Sequence, residues 1–237
     1  MPERQPFTRG LRRAFRDLVA PARPGDGTVN HISLGTHCHM AQVLKTEGLR
    51  TWSGPFDWIF STPGMVHDCL VDDFAALLRR ADLETIPISE RPDPSLGRCR
   101  HRVFRERYGL PCVFNHHDPA SSDADYAFLE AGVRRFRTAV DDPAARNHLW
   151  LMTEQALDPD IVRDMAETLA TRKSRNTLIV IGVHPGRSEA REAGRVDGPG
   201  LRWLTVEVAA ASKGLRFGSR EDDRFLSSLV TREAAEV

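Results

Sequence analysis

Residues 148–183 read HLWLMTEQALDPDIVRDMAETLATRKSRNTLIVIGV, and this stretch decides the fold class. It opens and closes on the runs HLWLMT and TLIVIGV, which are apolar on both faces, as is typical of strands buried between two layers. Between them, the segment 160–171 has its apolar residues at helical spacing. A buried strand, a helix and a second buried strand form the unit from which parallel sheets are built.

The same alternation continues outward in both directions along the chain. Short apolar strands are predicted at 31–35 and 202–208, and helices at 38–48, 123–140 and 221–230. The polar segment 185–200 is predicted to be a loop, either a lid or substrate loop or a disordered insertion. The pattern predicts an α/β three-layer sandwich with a mainly parallel central sheet of at least four strands, similar to Rossmann and flavodoxin folds.

The composition describes one globular domain with a short arm before it. The chain has 237 residues, of which 41 % are apolar and 28 % charged. We expect a single α/β domain at 29–237, preceded by a basic N-terminal arm and linker at 1–28. In the arm, residues 8–19 form a basic amphipathic pattern, which favours either packing on the domain or weak contact with a membrane surface.

The charge balance and the hydropathy restrict the partners. Because 33 basic and 33 acidic residues cancel, the chain lacks the positive excess that nucleic-acid binding uses, and we expect no nucleic-acid partner. No apolar run is long enough to span a membrane, and the first residues lack the apolar core of a secretory signal. We therefore expect a cytoplasmic protein with reduced cysteines and no cofactor.

Cys38 differs from the other three cysteines because it follows the first predicted strand and opens the next helix. The unpaired N–H groups at a helix N-terminus favour a thiolate, and they can stabilise an oxyanion on a substrate. The alternative is a small cysteine packed under the sheet. Cys69, Cys99 and Cys112 lie in segments where nothing local would activate a thiol.

Histidines follow other predicted strands, and parallel sheets gather functional residues at their carboxyl edge. His184 follows the strand at 177–183, and His116 and His117 follow two short strands predicted within 103–117. Adjacent side chains on a strand point to opposite sides, so only one of His116 and His117 can face the site. The candidate substrate-binding residues are His37, His39 and His184.

Three other kinds of site can be tested on the sequence. A phosphatase-type Cys-x₅-Arg motif is ruled out because Leu44 stands where the arginine would be. A glycine-rich phosphate loop is absent, since Gly35 is the only glycine between the first strand and its helix. Short ligand pairs of the kind found in zinc sites are also missing, and we assign no metal ligands. The nine histidines keep a His/Cys metalloenzyme as an alternative.

The run SLGTHCHMAQVLKTEGLRTWSGPFDWIFSTP at 33–63 resembles the signature of a bacterial domain family of unknown function that is labelled papain-like cysteine peptidase. That signature pairs a Leu-Gly-x-x-Cys start with a Leu-Arg…Ser-x-Pro-Phe-Asp-Trp segment. The segments 113–119 and 132–140 are similar to later parts of the family pattern. The matching signature residues are Leu34, Gly35, Cys38, Leu49, Arg50, Ser53, Pro55, Phe56, Asp57 and Trp58.

The resemblance implies a hydrolase in which Cys38 is the nucleophile, His117 or His116 is the general base, and Asp57 or Asp118 orients the imidazole. The substrate would be a small molecule or a peptide. The strand–helix alternation is not that of a true papain fold, so the resemblance concerns the chemistry. A non-catalytic binding or scaffold module in cell-surface polysaccharide or secondary-metabolite pathways is the second interpretation.

Overall fold

The computed structural model describes residues 29–236, which form a five-stranded central sheet, a separate two-stranded sheet and six α-helices. The strands are β1 (Val29–Ser33), β2 (Leu83–Thr85), β3 (Cys99–His101), β4 (Arg146–Thr153), β5 (Arg175–Pro185), β6 (Arg191–Gly198) and β7 (Leu201–Val208). The helices are α1 (Cys38–Thr46), α2 (Pro63–Val71), α3 (Arg102–Tyr108), α4 (Asp123–Asp141), α5 (Pro159–Ala170) and α6 (Arg220–Ala235).

The central sheet has the strand order β1-β4-β5-β7-β6. Strands β1, β4, β5 and β7 are parallel, and β6 is antiparallel to β7. Strands β2 and β3 form the small antiparallel pair. The expected α/β fold with a mainly parallel sheet is confirmed. The carboxyl ends of the four parallel strands lie at one edge of the sheet.

Helices cover both faces of the sheet, which explains why its strands are apolar throughout. Leu149 and Val180 belong to a core that also contains residues of α2, α4 and α5. Trp150 and Ile181 belong to a second core with residues of α1 and α6. Each fully buried side chain of this kind stabilises the fold by about 1.5–3 kcal/mol. The molecule is therefore a three-layer sandwich.

A tight turn joins β1 to α1 and fixes where α1 begins. Gly35 has φ +86°, and a Cβ at this position would lie 2.5 Å from Ser61 Oγ, so only glycine fits. The helix begins at Cys38, directly after the capping residue His37. Gly48, at φ +70°, follows its end. The predicted helix start is confirmed.

The loop prediction for 185–200 is wrong, because residues 191–198 form strand β6 on the edge of the sheet. This strand is mostly exposed, so it needs no apolar periodicity and gives no strand signal. Charged pairs hold it to its neighbours instead: Arg191 binds Glu207 on β7, and Arg195 binds Glu233 on α6. The segment is therefore neither a lid nor a disordered insertion.

The two strands predicted within 103–117 are also wrong. Residues 102–108 form α3, which ends at Gly109 with φ +67°. After it, Phe114 makes only isolated bridges, to Ile59 and to Cys99. Phe104 and Tyr108 lie one helical turn apart and pack on the same core, which favours the helix.

Two expectations concern the arm and the membrane. The arm predicted at 1–28, including the amphipathic pattern at 8–19, lies outside the described residues and stays a prediction. Among residues 29–236, no helix combines the length and the apolar character needed to cross a bilayer.

Candidate functional site

Cys38 is the first residue of α1 and lies at the carboxyl edge of the sheet, but its side chain is only 4 % exposed. Burial raises the pKa of the thiol to about 12, and the nearby Asp57 carboxylate adds to this rise. A helix N-terminus stabilises a negative charge by only about 0.3–1 kcal/mol, less than one pKa unit. Desolvation therefore outweighs the helix, and the thiol is protonated at neutral pH.

Asp57 lies in a buried turn that we call the signature loop, residues 53–61. Its carboxylate forms an ion pair with Arg50 and accepts a hydrogen bond from Gly54 N at 3.2 Å. Arg50 also donates to Ser53 Oγ at 2.9 Å. Burial raises the pKa of Asp57, and the Arg50 guanidinium opposes the rise. In the structure, the partner of the Asp57 carboxylate is therefore the Arg50 guanidinium.

Other signature residues anchor the same loop in the core. The Arg50 guanidinium lies 5.1 Å from the centre of the Trp58 ring. Phe56 is fully buried, and its ring centre is 5.5 Å from that of Phe74. On α4, Arg135 donates from Nε to the Ser53 carbonyl at 3.0 Å. The sequence analysis did not predict this role of Arg135, although residues 132–140 are similar to a later part of the family pattern.

The signature loop is hydrogen-bonded to the segment that leads to Cys38 and to the segment that leads to His116 and His117. On one side, Ser61 N donates to the carbonyl of Thr36 at 2.9 Å. On the other side, Phe60 N donates to the carbonyl of Val113 at 2.8 Å. Between positions 29 and 236, no hydrogen bond joins the Cys38 thiol to an imidazole; the candidate histidines contact other groups, as His37, His39, His116 and His117 show.

His117 is held by a carboxylate that the sequence analysis did not predict. Its Nδ1 lies 3.1 Å from Asp125 Oδ1, and its ring stacks on Phe128 at 4.9 Å. Asp125 also accepts from Asp118 N at 2.7 Å. Burial opposes ionisation of Asp125, but these hydrogen bonds outweigh it and lower its pKa. The one sequence signal was Ser122, whose hydroxyl caps α4 and places Asp125 in its first turn.

Asp118 and His116 have other partners. Asp118 accepts hydrogen bonds from Thr85 Oγ1 at 3.0 Å and Ser121 Oγ at 2.7 Å, and so ties its own loop to the end of β2. His116 Nε2 lies 3.2 Å from Asn115 Nδ2, and burial lowers the pKa of this histidine. Neither side chain forms a hydrogen bond with the His117 ring through these contacts.

The His117–Asp125 pair borders a groove between the signature loop and α4. Its other walls are apolar and include three aromatic rings. The lining residues are Gly54, Pro55, Trp58, Ile59, Phe114, His117, Asp125, Phe128, Leu129 and Gly132. An imidazole oriented by a carboxylate, beside an aromatic surface, can accept a proton from a bound molecule.

The three histidines predicted to bind substrate lie in different surroundings. His37 caps α1, where its Nδ1 accepts from His39 N at 3.4 Å. His39 is fully buried, with Nδ1 at 2.9 Å from Ser212 Oγ and Nε2 at 3.8 Å from Asp223 Oδ1. His184 is exposed near the end of β5. Of the three, only His39 reaches the segments that follow β7.

The metalloenzyme alternative finds no ligand set in the described part of the chain. No three His, Cys, Asp or Glu side chains of residues 29–236 come together in a way that could hold a metal ion. His37 and His39 stack at 6.0 Å with nearly parallel rings.

A family model described as "Putative papain-like cysteine peptidase (DUF1796)" matches residues 29–181, which is more than half of the chain. The chain belongs to this family. The resemblance seen at 33–63 is thereby confirmed. The family name suggests a cysteine-dependent hydrolase in coarse terms only and identifies no catalytic pair. Neither a curated protein nor a solved structure matches the chain.

Proposed function

We propose that this family member hydrolyses carboxylic ester or amide bonds, with Cys38 as the nucleophile and His117 as the general base. The observation that carries the proposal is the hydrogen bond between His117 Nδ1 and Asp125 at the edge of an aromatic groove. In this proposal Asp125 takes the orienting role for which Asp57 and Asp118 were considered. Asp57 is paired with Arg50 instead.

The proposed nucleophile attacks as its proton leaves. With a pKa near 12, the Cys38 thiol holds its proton at neutral pH, so a preformed thiolate is not the reactive species. A general base must therefore remove the proton during attack on the carbonyl carbon, as it does for a serine hydroxyl. The N–H groups at the start of α1 are the proposed donors to the oxyanion.

Substrate binding must bring the two groups together in this proposal. The signature loop lies between Thr36 and Val113 and is hydrogen-bonded to both. We infer that a substrate entering the groove beside Phe128 shifts this loop, which carries Trp58, and lets the imidazole approach Cys38. An apolar or aromatic acyl group, on a small molecule or a peptide, suits these walls.

A binding module without catalysis is the second candidate, and the burial of Cys38 favours it. The thiol is 4 % exposed, and the charged signature residues Arg50 and Asp57 neutralise each other inside the protein. Under this candidate the groove binds its ligand without turnover.

The test compares buried-cysteine variants on a panel of nitrophenyl esters and peptide coumarin amides. Cys38→Ala is paired with Cys69→Ala, a control at another buried cysteine. We expect Cys38→Ala to lower kcat/KM by at least about a hundredfold while the control stays near wild type. Turnover that survives in Cys38→Ala would remove Cys38 from the reaction. Saturable binding without turnover by the wild type would favour the binding module.

Two further variants test the roles of His117 and Asp125. His117→Gln and Asp125→Asn should each lower kcat by about 10²–10⁴-fold, the usual contribution of a positioned base. His116→Gln is the matched control, because its ring faces Asn115 and not Asp125. Equal losses in all three variants would indicate a general packing effect and contradict the assigned base.

A further inference from the structure

A second constellation of catalytic residue types lies at the carboxyl edge of the sheet. It combines His39 on α1, Ser212 in the segment between β7 and α6, and Asp223 on α6. Three separate segments thus bring a hydroxyl, an imidazole and a carboxylate together. Ser212 and Asp223 lie outside residues 29–181, which the family model covers.

The contacts of Ser212 join its hydroxyl to the imidazole of His39. The hydroxyl oxygen accepts from Gly214 N at 3.2 Å and lies 2.9 Å from His39 Nδ1. Transfer of the hydroxyl proton to His39 requires the tautomer in which Nδ1 accepts this hydrogen. The tautomer of His39 that accepts this hydrogen carries its own proton on Nε2.

The carboxylate of Asp223 is the charged group that faces that Nε2. The distance from Nε2 to Asp223 Oδ1 is 3.8 Å, and Nε2 is buried with no hydrogen-bond partner among residues 29–236. Asp223 is itself fixed, since its Oδ1 accepts from Phe217 N at 2.7 Å. Catalytic hydrogen bonds of this kind are often long before substrate binds.

The environment keeps the His39 imidazole neutral, with one ring nitrogen able to accept a hydrogen bond. His39 is fully buried and packs against the Phe217 ring at 4.7 Å. Burial lowers its pKa to about 3, with a further contribution from His37, so the ring is a weaker base than a free histidine and its protonated form needs the Asp223 carboxylate for stabilisation. Ser212 is partly exposed, so a substrate can reach the hydroxyl from solvent. Glu154, just after β4, holds Ser212 through its backbone N–H.

We propose that Ser212, His39 and Asp223 form a serine-type acyl-transfer triad that accepts carboxylic esters. Ser212 Oγ bonds to the ester carbonyl carbon while its proton moves to His39 Nδ1, and the alcohol leaves with that proton. Water then attacks the acyl-serine and gives a proton to the same nitrogen, which passes it to Ser212 Oγ as the bond between Oγ and the acyl carbon breaks and the carboxylic acid leaves. Asp223 is a positioning residue that acts through His39. The triad does not use Cys38.

The test uses the full chain and an alkyl fluorophosphonate, which reports an activated serine without knowledge of the substrate. In the reaction Oγ bonds to phosphorus, fluoride leaves, and the hydroxyl proton goes to His39. We expect an adduct on the tryptic peptide that contains Ser212. Ser212→Ala should abolish the adduct, and Ser228→Ala, at an exposed serine on α6, should leave it unchanged.

The variants of Asp223 separate catalysis from structure. Asp223→Asn should slow labelling by at least about tenfold, and Asp223→Glu should restore part of the rate, because only the carboxylate stabilises a protonated His39. Their melting temperatures are measured alongside. A folded wild-type protein that gives no adduct at Ser212 would overturn the triad, as would equal labelling of Asp223→Asn. Labelling that persists in Cys38→Ala shows that the two proposed sites are independent.

Discussion

The signature loop and the segment between β7 and α6 both place charged and polar groups beside the carboxyl edge of the sheet. The two regions differ in how far these groups are buried and in what they are paired with. In the signature loop, Asp57 is fully buried and paired with Arg50. After β7, Asp223 is partly exposed and faces the Nε2 atom of the buried His39 ring, which has no hydrogen-bond partner among residues 29–236. The first region uses its charges to hold a turn in place, whereas the second keeps a carboxylate, an imidazole and a hydroxyl in the order that acyl transfer needs.

The comparison also shows why a family signature and a reactive centre need not coincide. The residues of the signature that can be placed, such as Phe56, Trp58 and Asp57, mainly fix the loop against the core. Cys38, within the same signature, is kept protonated by the burial that this packing produces. A motif can identify a family because its fold requires those residues, as well as because its chemistry does.

The largest expected effect comes from breaking the buried ion pair of the signature loop. Asp57→Ala leaves Arg50 charged inside the protein, so we expect the free energy of unfolding to fall by about 3–5 kcal/mol in urea titrations. The double variant Arg50→Met/Asp57→Leu removes both charges and should recover most of the loss. Arg163→Ala, which breaks the exposed pair with Asp160, should cost under about 1 kcal/mol. A loss that small for Asp57→Ala would contradict the anchoring role.

The next effect concerns the reactivity of Cys38. Its pKa rises from 9.0 to about 12, and each pKa unit is a factor of ten in thiolate, so at pH 7 the folded chain carries about a thousandfold less thiolate than an unperturbed cysteine. We expect slow labelling of Cys38 by iodoacetamide at pH 7, a rate that rises up to about pH 12, and fast labelling in urea. Cys38→Ala identifies the labelled peptide. Fast labelling of the folded protein at pH 7 would mean that the helix N-terminus lowers the pKa of the Cys38 thiol by more than burial raises it.

The strands show how much of the fold the sequence could predict. The runs at 148–153 and 177–183 are continuously apolar because helices cover both faces of β4 and β5. This pattern allowed both strands to be predicted. Strand β6 lies at the edge of the sheet with most side chains exposed, so its sequence has no apolar pattern that would indicate a strand. The helix α3 was missed because its seven residues are too few to show a clear helical period.

The candidate sites depend on information that local sequence does not carry. The position of Cys38 at the start of α1 could be predicted, whereas the depth that raises its pKa depends on the packing of distant segments. The pairing of His117 with Asp125 requires the chain to turn back between them. The contact between His39 and Ser212 joins residues 173 positions apart, and no spacing rule predicts it.

A third prediction uses the pH dependence of stability. Burial lowers the pKa of His31 and His148 to about 4, and their rings lie 5.2 Å apart. The unfolded chain binds protons at these histidines below about pH 6.5, but the folded chain does so only near pH 4. Stability from these rings is therefore present above pH 6.5 and is lost as the pH falls towards 4, by about 3 kcal/mol for one histidine whose pKa falls from 6.5 to about 4.

Urea titrations between pH 7 and pH 4 check this dependence on His148. His148→Phe should flatten the wild-type decline, because the variant has no proton to bind at that position. His184→Gln, which changes an exposed histidine, should follow the wild type. Carboxylates also titrate in this range, so the quantity to compare is the difference between each variant and the wild type. Identical slopes for His148→Phe and the wild type would contradict the assignment.

The smallest effect tests whether Ser212 is more than a structural tie. Ser212→Ala leaves His39 Nδ1 buried without its hydroxyl partner, which should cost about 1–2 kcal/mol of unfolding free energy. Ser228→Ala should stay within about 0.5 kcal/mol of the wild type. If Ser212→Ala is as stable as that control, the hydrogen bond to His39 contributes nothing to the fold. Because the proposed triad depends on that hydrogen bond, the same result would also weaken the assignment of Ser212. A cost of the expected size, together with a fluorophosphonate adduct on the wild type, would mean that one contact serves both the fold and the chemistry.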